Sequence, residues 1–271
     1  MKKCISYSLF GYGRDQHRDC FDFPSYLRGL LINVRMNRLL YPDWDIVVHM
    51  DSQTYHGFKM LFDGIGIIPK IEDDAPLCLA MLWRMKPIFE MENGVWKYSH
   101  VICRDLDSPT TYREVQAVNQ WIEHDKAMHA ITDSVSHTIP LLGGMIGARP
   151  AYFTERVAQN WDDMINIIPN FVYTSKGSDQ TFLNQAIYPL FANKGSDSIT
   201  QHYMLGHGDT FLSDFHKEIP NNDIGLSDER LRESNDICGH IGAAGYYEGA
   251  MFKFLRQYWD TFPDLLNIEK Q

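Results

Sequence analysis

The sequence predicts an α/β domain in which a mixed central sheet is covered by helices on both faces. Short apolar runs typical of buried strands alternate with longer stretches of helical spacing through the first half of the chain. This alternation is typical of parallel or mixed sheets. The 271 residues are 44% hydrophobic and 22% charged, which is enough apolar surface for a substantial core. No internal repeat or linker-like tract occurs, so we expect one domain over residues 1–271.

The first half of the chain supplies the clearest elements. Leu30 and Val34 recur at helical spacing with Leu27, Leu31 and Leu39, which predicts a helix with one buried apolar face. Tyr41 and Pro42 end that helix. The predicted order is strand 3–10, helix 25–40, strand 44–50, a short helix, strand 64–68 and helix 77–89.

The second half is less regular. We predict a helix at 110–121, strands at 127–132 and 140–148, helices at 151–165 and 178–188, a strand at 199–205 and a last helix at 251–258. Residues 206–234 are polar and irregular. This irregularity is typical of a substrate-binding portion that follows a nucleotide-binding half.

A ten-residue stretch, VICRDLDSPT at 101–110, lies at the centre of this pattern. Its apolar start predicts a buried strand, and Pro109 breaks that strand. Asp105 and Asp107 then follow the strand at the sheet edge where α/β folds bind ligands. Two apart in an extended chain, they point to the same side and favour a hard divalent cation between them. A polar turn in which Asp107 caps the next helix is the equally simple alternative.

Two further segments could carry chemistry. Ser178 begins a predicted helix, where it is a natural N-cap, while Asp179 and Gln180 could instead face a reacting sugar. His240 lies in the glycine-rich segment GHIGAAG, whose backbone can come close to a ligand or metal. A lone histidine is more often structural, so the sequence leaves both interpretations open.

Gly143 and Gly144 precede or form part of a strand, where they could admit a substrate ring or simply mark a bulge. Arg84 and Lys86 lie on a predicted helix. They could form a solvated face or contact a diphosphate.

The bulk composition excludes some classes of protein. A net charge of −10 and a pI near 5.5 argue against binding nucleic acid through the overall field. The cysteine count of five is odd and no pair has metal-type spacing, which favours free thiols in a reducing compartment. No apolar run approaches the roughly 20 residues of a membrane span. We therefore expect a cytoplasmic protein without a transmembrane segment, with peripheral membrane association left open.

Several stretches occur in an order that resembles glycosyltransferases of the nucleotide-diphospho-sugar transferase (GT-A) fold. They are MLWRMKPIF at 81–89, RDLDS at 104–108, LLGGMIGAR at 141–149, GSDQTFLNQAIYP at 177–189 and GHIGAAG at 239–245. The order is similar to that of a little-characterised bacterial and viral group with an Arg-Asp-Leu-Asp-Ser motif. The Asp-Gln-x-x-Leu-Asn helix and the late His also resemble the glycogenin and lipopolysaccharide galactosyltransferase branch, which retains anomeric configuration.

The resemblance implies a metal-dependent enzyme of polysaccharide biosynthesis, with Mn²⁺ or Mg²⁺ as cofactor. It would move a sugar from a UDP- or GDP-sugar to a glycan, a lipid-linked acceptor or a protein. Residues 1–108 would form the nucleotide-binding half, and residues 109–250 would bind sugar and acceptor.

The resemblance also implies roles for individual residues. Asp107 would ligate the metal, Asp105 would ligate it or bind the ribose, and His240 would be the third protein ligand. The implied donor-binding residues are Ser6, Tyr7, Ser8, Arg84, Asp105, Gly143 and Gly144, and the implied catalytic residues are Asp179 and Gln180.

One departure leaves the stereochemistry open. The retaining branch carries His-x-x-Gly-x-x-Lys, and no Lys stands at the corresponding place after His240. In an inverting enzyme Asp179 would be the general base, whereas in a retaining one Gln180 would stabilise the oxocarbenium-like sugar. Two other functions compete, namely an Asp-x-Asp phosphatase and a non-catalytic carbohydrate- or partner-binding member of the fold.

Overall fold

The protein is built on a mixed seven-stranded sheet. The computed structural model describes residues 1–13, 23–73, 75–133, 138–175, 177–192 and 198–203. Within these ranges the strands are β1 (Lys2–Leu9), β2 (Trp44–Asp51), β3 (Ile68–Glu72), β4 (Met91–Glu92), β5 (Val95–Trp96), β6 (Tyr98–Arg104), β7 (Met128–Thr132), β8 (Met145–Ala148) and β9 (Ile199–Tyr203). The main sheet has the order β3-β2-β1-β6-β8-β7-β9, and β4 and β5 form a separate hairpin. The predicted α/β class with a mixed central sheet is confirmed.

Helices connect most of these strands. They are α1 (Phe23–Leu40), α2 (Ser52–Gly64), α3 (Leu77–Leu82), a 3₁₀ helix (Trp83–Phe89), α4 (Tyr112–His124), α5 (Pro150–Arg156), α6 (Trp161–Ile165), α7 (Ser178–Phe182), a π-helical segment (Leu183–Ile187) and α8 (Tyr188–Ala192). Among the described helices, none is long and apolar enough to cross a membrane.

The strand order reverses between β1 and β6. The chain runs outward from β1 to β2 and β3 in parallel steps, and β6 then pairs in parallel with the other side of β1. Strand β8 lies antiparallel to both β6 and β7. A reversal of this kind opens a crevice at the carboxyl ends of the two strands, where open α/β sheets bind ligands.

Both faces of the sheet are buried, and β1 shows why. Its successive residues alternate between faces, so Ile5, Tyr7 and Leu9 pack under α1 and α4, while Cys4 faces the opposite layer. That opposite layer contains the 3₁₀ helix together with Phe153 of α5. Asp105 and Asp107 follow β6 where these layers meet the carboxyl edge of the sheet.

Two predicted strands are placed differently by the structure. The third strand is not 64–68 but Ile68–Glu72, because α2 continues to Gly64 and Gly66 makes a turn with φ +66°. The strand predicted at 140–148 begins only at Met145, because the backbone of Leu141 bonds to the side chain of Asn184 instead of to a strand.

Three predicted helices also differ in their internal structure. The helix at 77–89 becomes 3₁₀ from Trp83 onward, where Pro87 cannot donate an α-helical bond. The helix at 151–165 is two helices, the second capped by Asn160. The helix predicted to end at Pro189 instead continues to Ala192, and the π-helical segment Leu183–Ile187 lies just before this proline, which has no N–H to donate.

Some predictions fall outside the described residues. They concern His240 with its glycine-rich segment, the irregular region 206–234 and the last helix at 251–258.

Candidate functional site

Asp105 and Asp107 lie at the crevice, immediately after β6. The strand ends at Arg104, and Leu106 and Asp107 form a turn. The prediction that both acids point to the same side because the chain is extended here was therefore wrong. The turn is anchored by Leu106, whose side chain is buried. The alternative in which Asp107 caps the next helix is also excluded, because Thr111 caps α4 by accepting the Glu114 N–H at 3.1 Å.

The two carboxylates still influence each other. Burial raises the pKa of Asp107 to about 7, and the negative charge of Asp105 adds to the rise. A hydroxyl donated by Ser108 at 3.3 Å opposes it. Within the ranges that the structure describes, no Lys, Arg or His forms an ion pair with Asp107. An acid in this position is stabilised by an added cation.

The chemistry of this pair of acids would suit a divalent cation, although the described residues contain no cluster of three or more candidate ligands. Carboxylate oxygens are the hard ligands that Mg²⁺ and Mn²⁺ prefer. Mg²⁺ commonly takes one or two carboxylates and completes its shell with water and substrate phosphates. Asp105 and Asp107 would hold the ion, and the proposed third ligand His240 lies outside the described residues.

Arg84 forms the buried base of the site. Its backbone N–H donates to Ser8 Oγ at 3.0 Å, which ties the 3₁₀ helix to β1. Its guanidinium donates to Asp105 Oδ1, and Nη2 lies 3.6 Å from Asp179 Oδ2. Burial would lower the pKa of Arg84, but the two carboxylates raise it above its ordinary value. Arg84 is therefore a fixed cation, not part of a solvated face.

Asp105, Arg84 and Asp179 differ in solvent exposure, and this difference determines which of them a ligand can reach. The Asp105 side chain is 43% exposed, whereas those of Arg84 and Asp179 are 6% and 4% exposed. A ligand entering the crevice meets Asp105 first, with Arg84 and Asp179 beneath it. Burial raises the pKa of Asp179, and the nearby Arg84 opposes that rise.

Gly143 and Gly144 form the turn before β8, and protein side chains fill the space beside them. A Cβ on Gly144 would overlap the Asp105 carboxylate, and one on Gly143 would overlap the Arg84 guanidinium and lie 3.1 Å from Asp179 Oδ2. The glycines are therefore needed so that Arg84, Asp105 and Asp179 can converge.

Gly144→Ala should move Asp105 and weaken binding of Mn²⁺ by about 10- to 100-fold, the range for loss of a supporting contact at a metal site. Titration calorimetry with Mn²⁺ in the presence of a nucleoside diphosphate measures this effect. Gly64→Ala is the matched control, because a Cβ there meets nothing within 4 Å. Equal affinities for the two variants would contradict the prediction that Asp105 is a metal ligand.

The donor-binding residues predicted on β1 have little solvent exposure. Ser6 and Tyr7 have no exposed surface, and Tyr7 accepts a hydrogen bond from Asn37. Ser8 is half-buried and is bonded to the Arg84 N–H. Gln180 is half-buried, and its carbonyl accepts from Asn184. The structure thus brings Ser8 to Arg84, while the side chains of Ser6 and Tyr7 face the interior.

Arg104, to which the sequence assigned no role, is a buried structural cation. Its Nε donates to Glu114 at 2.5 Å, and Nη1 donates to the carbonyls of Cys103 and Ile146 at 2.8 and 3.0 Å. It thereby joins β6, β8 and α4 directly behind Asp105.

The sequence also missed Asn33 and Asn37 on α1, whose side chains bond to the segment that carries Asp107. The available signal was their spacing of four, with Gly29 four residues earlier, on a helix otherwise chosen for its leucines.

Comparisons with known proteins find similarity in structure only. No protein-family model matches the chain, and no curated protein matches it. A crystal structure of 4-diphosphocytidyl-2C-methyl-D-erythritol synthase from Anaerococcus prevotii DSM 20548 is similar, with a TM-score of 0.45, 7% identity, and coverage of 75% of this chain and 89% of that chain. A protein from Desulfovibrio desulfuricans G20, named as a nucleotide-diphospho-sugar transferase, has a TM-score of 0.45, 12% identity, and coverage of 78% and 84%. The function of this chain therefore rests on its own residues.

Proposed function

We propose that the protein is a metal-dependent glycosyltransferase that uses a nucleoside-diphosphate sugar. The observation that carries this proposal is the pair Asp105 and Asp107 at the carboxyl ends of β1 and β6, where the strand order reverses. Such a crevice suits a nucleotide, and two carboxylates suit the cation that accompanies a diphosphate.

Asp107 is the better candidate for a direct metal ligand. It forms no ion pair among the described residues, whereas Asp105 already accepts a hydrogen bond from Arg84. The Arg84 contact fixes the orientation of Asp105, which leaves Asp105 Oδ2 for the cation or for the ribose. A bound cation would neutralise the donor diphosphate and the charge that develops on the departing nucleoside diphosphate.

Arg84 would lie beneath the bound donor and interact with its diphosphate through its charge. Its charge is shared between Asp105 and Asp179, and it lies behind both, away from solvent. In this position it offsets part of the negative charge of the carboxylates where the diphosphate is proposed to bind. A direct phosphate contact would require the guanidinium to exchange one carboxylate for a phosphate, since both are bidentate acceptors.

Asp179 and Gln180 would lie on the sugar and acceptor side. Burial raises the pKa of Asp179, which makes it a stronger base than an exposed aspartate. If the reaction inverts the sugar, Asp179 would accept the acceptor's hydroxyl proton. If the reaction retains configuration, Gln180 would stabilise the positive charge on the sugar ring, and Asp179 would serve to hold Arg84.

A thermal-shift panel of nucleoside diphosphates and nucleotide sugars, with and without Mn²⁺, tests the proposal. We expect one nucleoside diphosphate to stabilise the protein only with metal, by about 2.7 kcal/mol at a hundredfold excess over Kd. Equal shifts without metal would overturn the metal-bridged site. Hydrolysis of a generic aryl phosphate with Mg²⁺ alone would favour a phosphatase, and donor binding without turnover across many acceptors would favour a non-catalytic protein.

A further inference from the structure

A row of three residues on α1 touches the segment that carries Asp107. We define the acid loop as residues 105–110. Gly29, Asn33 and Asn37 are spaced by four, so they lie on one face of the helix. All three are buried. A Cβ on Gly29 would overlap the carbonyl oxygen of Leu106, so the helix backbone lies directly against the acid loop at this point.

Asn33 bonds to the acid loop on both sides of Asp107. Its Nδ2 donates to the carbonyl oxygens of Leu106 and Ser108 at 3.1 and 3.2 Å. Its Oδ1 accepts the backbone N–H of Thr110 at 2.9 Å. The two donors and the acceptor of one amide side chain are thus used on three backbone groups of the loop.

Asn37 connects the same loop to β1. The Thr110 hydroxyl lies 2.8 Å from Asn37 Oδ1 and 3.2 Å from Asn33 Oδ1, and it donates to the nearer oxygen. Asn37 Nδ2 donates to the Tyr7 hydroxyl at 2.7 Å. The acid loop is therefore joined through α1 to the strand beside β6, across the reversal point of the sheet.

This arrangement is more specific than helix packing requires. Burying two amide side chains is unfavourable unless every polar group is paired, and leucine would satisfy an apolar face at lower cost. The amides instead fix the backbone on either side of Asp107. A metal ligand held in position before the metal arrives loses less freedom on binding, which increases affinity.

We propose that Gly29, Asn33 and Asn37 are positioning residues that hold the acid loop in its metal-binding geometry. This inference rests on the proposed function, since it concerns the same cation. None of the three contacts the cation, and each acts through the loop backbone.

The test is Mn²⁺ binding, measured by electron paramagnetic resonance of free Mn²⁺ at a temperature where each variant is folded. Asn33→Ala should raise the Kd for Mn²⁺ at least tenfold. Gly29→Ala acts differently, because alanine favours the helix but displaces Leu106. It should raise the Kd by a similar factor and also lower the stability, because the atoms that the added Cβ overlaps belong to the backbone of Leu106. Phe153→Leu is the matched control, because it weakens the core in α5 away from the loop and should change the Kd less than twofold.

The outcomes separate this inference from the proposed function. If wild type binds Mn²⁺ and both α1 variants bind it equally well, the row is only structural and the inference is overturned, while the proposed function stands. If wild type binds no Mn²⁺, with or without a nucleoside diphosphate, both are overturned. Should Asn33→Ala fail to fold, Gly29→Ala alone decides.

Discussion

Asp107→Asn is expected to lower the proposed metal-dependent sugar transfer by roughly a hundredfold or more, because it removes one of the two proposed charged ligands without changing the size of the side chain. The variant should remain folded. The Asp107 carboxylate is half-buried beside Asp105 and forms no ion pair among the described residues, and burial and Asp105 together outweigh the opposing effect of Arg84, so its removal takes away an unfavourable charge. We therefore expect Asp107→Asn to lose Mn²⁺ binding. Its free energy of unfolding without metal, measured by urea denaturation at pH 8, should equal or exceed that of the wild type.

Asp162→Asn is the matched control, since it removes an exposed acid from α6. It should leave transfer and the Mn²⁺ dependence unchanged. Product formation from the donor identified by thermal shift, measured across Mn²⁺ concentrations, distinguishes the two variants. Wild-type activity in Asp107→Asn would exclude Asp107 as a metal ligand.

Arg104→Met is expected to cost about 3–5 kcal/mol of unfolding free energy, the usual consequence of leaving one charge of a buried pair without its partner. The side chains of Arg104 and Glu114 are only 5% and 4% exposed, so water cannot replace the lost contact. The carbonyls of Cys103 and Ile146 also lose a donor. Urea denaturation monitored by circular dichroism measures the change.

Two further variants check this explanation. Arg104→Met combined with Glu114→Leu should recover most of the loss, because no unpaired charge is then buried. Lys59→Met removes an ion pair with Asp63 whose side chains are 52% and 51% exposed, and it should cost less than about 1 kcal/mol. A loss in Arg104→Met as small as that in Lys59→Met would show that the buried pair does not stabilise the fold.

Much of the framework was predictable because its signals are local. The apolar runs of β1 and β2 and the helical spacing of α1 placed those elements to within about two residues, the usual uncertainty of element ends. The position of Asp105 and Asp107 at the end of a strand was also correct. The strand predicted at 140–148 was confirmed only from Met145 onward, because its early residue Leu141 bonds to the side chain of Asn184, 43 residues further along the chain.

The residues of the candidate site could likewise be predicted one by one, but not their contacts with one another. The sequence identified Arg84, Gly143 and Asp179 as separate possibilities, each with a simple structural alternative. Their convergence is visible only in the fold, where a Cβ on Gly143 would occupy the space that Arg84 and Asp179 fill.

Hydrophobic periodicity and strand-breaking residues were sufficient to predict the α/β class, most of the elements in the first half of the chain and the strand end that carries two acids. These signals act over a few positions. The packing of distant elements was needed to show which polar side chains are buried and what they bind. Asn33 and Ser108 are 75 residues apart in the chain and 3.2 Å apart in space. Such a contact depends on how distant elements pack, and the periodicity of residues along the chain cannot predict it.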